Sequence, residues 1–158
     1  MSTPRPSIDL VCAVAIDEPK LIERVHRMID LLPTRDARVT QFARVSIRIV
    51  GDCEMSDLHQ RYSNVEGTTD VLTFVQTDSH GGLEVDLALC CDEAQRRSQE
   101  FGHSVENELA LYAIHGLLHS IGFDDRDPTQ ATHMHREEDR ILTSIGIGAV
   151  FAPRRGES

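Results

Sequence analysis

The sequence predicts an α+β fold: a mixed four-stranded sheet packed with helices, with a candidate site at the end of a buried helix. Three observations carry this. Four short runs rich in aliphatic and β-branched residues are separated by helical patterns. The last third of the chain reads as helix. One helix, ending before Gly122, is apolar nearly all round and so belongs in a core. With 158 residues, the chain is read as a single domain over residues 1–158, large enough to bury one core, with a disordered tail from about Pro153.

The elements follow in order. Ile8 to Ala15 reads as a first strand. Pro19 opens a helix whose apolar positions, Leu21, Ile22, Val25, Met28, Ile29 and Leu32, recur at three and four, and Pro33 ends it. Arg44 to Val50 alternates as a half-buried strand does, and Gly51 and Asp52 turn it. Ser56 is the expected cap of a short helix from Asp57 to Ser63, with Leu58 and Tyr62 facing the core. Val71 to Gln76 and Leu83 to Cys90 are the third and fourth strands, joined by a polar loop containing His80, Gly81 and Gly82. Asp92 is the expected cap of a polar helix reaching Phe101, which Gly102 breaks. The apolar helix begins after Ser104, and a final helix runs from about Thr129 to Ser144.

The segment HGLLHSIGFDD, His115 to Asp125, sets two imidazoles four residues apart. On a helix that spacing stacks both rings on one face, within reach of a single divalent ion. Leu109, Leu111, Ala113, Ile114, Leu117, Leu118 and Ile121 make the helix apolar, and polar rings on a buried helix need partners. Gly122 ends the helix, and Asp124 and Asp125 follow, so a carboxylate returns toward the same point. Two histidines and one carboxylate leave a tetrahedral ion with an open position for water, the arrangement of a catalytic site. A metal-dependent hydrolase is the function these residues indicate. Gly116 stands where a His-Glu-x-x-His metalloprotease carries its glutamate base, which argues against peptide hydrolysis.

His115, Gly116, Leu118, His119, Gly122, Phe123 and Asp124 resemble the signature helix of the YbeY family of bacterial rRNA-maturation endoribonucleases. Upstream, Thr69 to Phe74 is similar to that family's Thr-Asp/Asn-Val-Leu-Ser-Phe segment, and the strand bearing Asp86 follows it. The resemblance spans most of the chain after about Leu58. It implies a zincin-like arrangement and a metal-dependent, single-strand-specific endoribonuclease, cytoplasmic, acting on ribosomal RNA (16S 3'-end maturation and ribosome quality control) beside the ribosome or its small-subunit proteins. It assigns the third ligand to Asp125, where the family has a histidine, so the metal set is His115, His119 and Asp125. One zinc ion is expected, with manganese, nickel and iron as alternatives, because the carboxylate hardens the site and lowers its charge by one unit. Aligned on Tyr62 and Asp70, the family's arginine falls on Ser63, and Arg61 is the nearest substitute. Arg61 and Asp124 are therefore candidates for catalysis beyond the metal-bound water. Asp124 is also a candidate to orient a ligand, as is Glu108, whose other reading is an exposed first-turn acid.

Composition narrows the partners. The net charge of −10 excludes a generally basic surface, and Lys20 is the only lysine. Arginines cluster at Arg35, Arg38, Arg44 and Arg48, at Arg96 and Arg97, and at Arg154 and Arg155, so any phosphate contact falls to arginine in a local groove. Cys12, Cys53, Cys90 and Cys91 lack metal spacing and read as reduced thiols, Cys90 and Cys91 as neighbours on a strand. The apolar run Leu10 to Ile16 is too short to span a membrane. His133 and His135, with Glu137, Glu138 and Asp139, read as solvated surface, one of the two histidines being an alternative third ligand. His26, His59, His80 and His103 are given surface or capping roles. Asp70 and Asp86 are read as strand-end hydrogen-bonding groups, with Thr69 and Asp70 pinning the turn before the third strand. The rival to catalysis is a non-catalytic ribosome-associated factor with a structural metal, and a third reading is hydrolysis of another substrate.

Overall fold

The computed structural model describes residues 5–12, 14–33 and 42–148. Its elements are β1 (Ser7–Cys12), α1 (Glu18–Leu31), β2 (Phe42–Val50), α2 (Asp52–Ser63), β3 (Val71–Thr77), β4 (Leu83–Cys90), α3 (Cys91–Phe101), α4 (Val105–Ser120) and α5 (Pro128–Ser144). The four strands form one sheet in the order β1-β2-β4-β3. β1, β2 and β4 run parallel, and β3 is antiparallel to β4, so the sheet is mixed as expected. β3 is an edge strand, and the Asp78 carboxylate organises its turn into β4 by accepting from the backbone N–H groups of His80 and Gly82.

Alternation along the strands divides the sheet into two faces. Val45, Ile47 and Ile49 of β2 join Val85, Leu87 and Leu89 of β4 in the main core, which α1, α4 and α5 complete. On the other face Val50, Ala88 and Cys90 bury against Met55 of α2 in a smaller cluster. α4 is enclosed as its composition requires: Leu109 to Ile114 and Gly116 to Leu118 are all buried. Ser104 caps it by accepting the Asn107 backbone N–H.

Several boundaries differ from the sequence reading, each for a tertiary reason. β1 ends at Cys12 rather than Ala15, with Val14 and Ala15 outside the strand. α2 begins at Asp52, five residues before the expected start, because the Asp92 carboxylate reaches across to accept the Asp52 N–H at 2.8 Å. Asp92 thus caps α2 and not its own helix; the cap position of α3 is Cys90, without a side-chain bond. Cys91 opens α3 instead of ending a strand, and the four cysteines are free thiols. Leu58 packs against the smaller cluster, but Tyr62 is 60% exposed and meets Phe74 edge-on with centroids 5.1 Å apart. Arg35, Arg38, Arg154, Arg155 and the tail from Pro153 lie outside the described residues. Among the described residues no helix is long and apolar enough to cross a membrane.

Candidate metal centre

The turn that closes α4 builds the site. Gly122 has φ +104°, its N–H bonds the His119 carbonyl, and the Phe123 N–H bonds the Leu118 carbonyl. This paired closure ends the helix and folds the chain back over its last turn, while buried Phe123 joins Leu118 in the core. Asp125 is thereby carried to the face bearing His115 and His119.

Three ligand-type side chains converge there. His115 Nε2 and His119 Nε2 are 3.1 Å apart, and Asp125 lies 3.5 Å from the first through Oδ2 and 3.7 Å from the second through Oδ1. The outer nitrogen of each ring is occupied. His119 Nδ1 donates to the Phe123 carbonyl at 2.9 Å, and His115 Nδ1 lies 2.7 Å from Glu138 Oε1. Both Nε2 atoms therefore face one another and Asp125. The three side chains form a cluster that could hold a metal ion, and neither His133 nor His135 is part of it.

The cluster opens on a cavity of about 410 Å³, whose other wall is the 69–75 segment. Asp70 is pinned there: its carboxylate accepts the Val71 N–H at 2.8 Å and the Thr69 hydroxyl at 3.4 Å, and its carbonyl accepts the Cys90 N–H. β3 and β4 press on α4 at Gly116, where a Cβ would come 2.6 Å from Leu87 Cδ2 and 3.0 Å from Thr73 Oγ1. A side chain at position 116 therefore fits only if Leu87 and Thr73 shift, and a glutamate demands more than a methyl.

The electrostatics are those of a cation site. Burial works to lower the His115 pKa, but hydrogen bonds to Asp125 and Glu138 overcome it and raise the pKa to about 10. The bond to His115 holds Asp125 down at about 2. Burial pushes Glu138 up, yet the imidazoles of His115 and His135 leave it below its ordinary value.

Other candidates fall elsewhere. Asp124 pairs with Arg126, at 2.6 Å at its shortest, and not with either imidazole. Arg61 pairs with Asp57 at 2.8 Å on the exposed side of α2 and does not line the cavity, and Ser63, also exposed, ends that helix. Glu108 is neither an exposed acid nor a partner of His115: it is fully buried and bonded to His103. Asp86 lies within β4, opposite Ser46 and Phe74, and lines a separate groove beneath α2. His59 bonds the Gly67 carbonyl. Arg44, Arg48, Arg96 and Arg97 are paired with Glu84, Glu54, Asp52 and Glu93 respectively, so they form no open basic groove.

Glu138 is the residue that sequence reasoning missed. Its signal was spacing: Met134, Glu138, Ile141 and Leu142 share the buried face of α5.

The chain is similar to known proteins over most of its length. The family profile described as endoribonuclease YbeY matches residues 12–146. A relative from Frankia alni, named endoribonuclease YbeY, is 33% identical over 141 residues, covering 82% of this chain and 75% of that one. One of the same name from Roseiflexus castenholzii is 33% identical over 142 residues, covering 84% and 87%. A solution structure from Thermotoga maritima has a TM-score of 0.56 at 21% identity, covering 95% of this chain and 93% of that one, a likeness of fold. On the match across residues 12–146 and these relatives, the chain belongs to the endoribonuclease YbeY family.

Proposed function

We propose that this protein is a metal-dependent endoribonuclease that cuts single-stranded RNA and matures ribosomal RNA, with one ion held by His115, His119 and Asp125. The observation that carries the reading is the spacing of the three ligand atoms. A tetrahedral zinc with bonds of 2.0–2.1 Å separates its ligands by about 3.4 Å. Here the two Nε2 atoms are 3.1 Å apart, Asp125 comes within 3.5 Å of one through Oδ2 and within 3.7 Å of the other through Oδ1, and with one ligand atom taken from each residue all three lie within 4.8 Å of one another. Zinc is the ion proposed for this donor set, with manganese, nickel and iron as alternatives.

When bound, such an ion polarises a phosphoryl oxygen and lowers the pKa of its water to about 7. His115, His119 and Asp125 would hold the ion beside the cavity, and three protein ligands would leave room for a water on it. Asp125 sets the charge of the site, His119 is oriented by its own helix end, and the 69–75 segment confines the substrate. Among the described residues no arginine or lysine lines the cavity.

Within this reading residues 1–158 act as one domain in the cytoplasm, on 16S 3' ends and in ribosome quality control, in contact with the ribosome or its small-subunit proteins. The test is His119→Ala, assayed on single-stranded and duplex RNA alongside circular dichroism. Loss of single-strand cleavage with the fold retained is the expected result. Unfolding of the variant would identify a structural ion and favour a non-catalytic ribosome-associated factor.

A further inference from the structure

We propose that Glu138 is a positioning residue of the metal site, tying the C-terminal helix α5 to the affinity of the ion. The inference rests on the metal-site reading above and goes beyond its three ligands. Glu138 has 0% of its surface exposed, on a helix face otherwise formed by Met134, Ile141 and Leu142. An acid buried among apolar residues is costly unless a specific partner compensates it. The partners here are two imidazoles: His115 Nδ1 at 2.7 Å from Oε1, and His135 Nδ1 at 3.5 Å from Oε2.

Glu138 is not in the ligand cluster. It stands behind His115, on the side of the ring away from Asp125. A carboxylate in that position accepts Nδ1–H, fixes the tautomer that leaves Nε2 free for a metal, and makes the ring a stronger donor. The two imidazoles are held unequally. His119 leans on the Phe123 carbonyl, a neutral acceptor from its own helix end, whereas His115 leans on a charge delivered by another helix.

The experiment measures zinc affinity by chelator competition for the full chain and for Glu138→Gln and Glu138→Leu, with circular dichroism of each. Glutamine keeps an acceptor oxygen without the charge, and leucine removes the acceptor. The expected losses are about 10-fold for Glu138→Gln and about 100-fold for Glu138→Leu. Cobalt-loaded Glu138→Gln should also show shifted ligand-field bands. In a His115→Ala background the Glu138→Gln change should alter zinc affinity by less than about twofold, because the effect acts through that ring. Should the leucine variant fail to fold, the near-isosteric glutamine variant decides. Zinc affinities of both variants within about twofold of wild type would overturn the inference while leaving the ligand set intact. A wild-type chain that takes up no zinc would overturn the underlying metal reading, and this inference with it.

Discussion

Gly116 and Leu87 meet so closely that a Cβ on residue 116 would lie 2.6 Å from Leu87 Cδ2. The contact sets the position of β4 against α4 one residue from His115. Leu87 is 1% exposed and has little space into which to move. Gly116→Ala gains about 1 kcal/mol of helix propensity but meets an overpacking cost of about 1–3 kcal/mol. The expected outcome is a net loss of up to about 2 kcal/mol, a fall in Tm of a few degrees in a thermal melt, with reduced RNA cleavage. Gly116→Glu should not fold, and a folded Gly116→Glu protein would contradict the described packing.

Asp125 makes the site one unit more negative than a third neutral imidazole would. Asp125→His should keep a bound metal and, by removing that charge, favour the deprotonated form of the group whose ionisation limits cleavage. The acidic limb of the pH–rate profile is therefore expected to move down by about one pH unit. Asp125→Ala, with only two ligands left, should lose most metal affinity in the same competition assay. An unchanged profile in Asp125→His would show that residue 125 does not face the ion.

Arg61 is tied to Asp57 at 2.8 Å and lies outside the cavity. Arg61→Ala should therefore leave kcat/KM on single-stranded RNA within about twofold, because its guanidinium is held by Asp57 on an exposed helix face away from the cavity. A hundredfold loss would instead give Arg61 the role of the arginine that the family resemblance aligns with Ser63.

Asp52 is held at about 2, chiefly by its hydrogen bonds with Arg96 at 2.8 and 2.9 Å. A carboxyl depressed in the folded state adds stability that is fully present above its unfolded pKa of about 3.9 and is lost as pH falls through about 2. The pair is largely exposed, so its worth is below about 1 kcal/mol. Asp52→Asn should lower Tm slightly at pH 6, and the difference from wild type should vanish near pH 2. A difference that grows on acidification would carry the wrong sign for this pair.

How far the fold and the site were legible follows from where their causes lie. α4 could be read because its cause is local: an apolar surround, Ser104 at its start and Gly122 past its end. β4 was legible for the same reason, because Leu83, Val85, Leu87 and Leu89 alternate as one buried face, although Cys91, also read as part of that strand, opens α3. The start of α2 was misread because its cap, Asp92, is 40 residues away in sequence. Tyr62 looked like core by its aromatic character, but it rests on the rim of a groove against Phe74. His115, His119 and Asp125 were legible through spacing and resemblance. Glu138 looked like part of a charged run, Glu137 to Asp139, and only the packing of α5 on α4 turns it inward.

The central claim is tested most directly by one paired measurement: metal content of protein purified without chelator, and cleavage of single-stranded RNA by that sample before and after metal removal. The account predicts about one equivalent of divalent metal per chain, cleavage that disappears on chelation, and recovery when the ion is returned. Undiminished cleavage by the metal-free protein, or a full equivalent of metal with no cleavage, would contradict it.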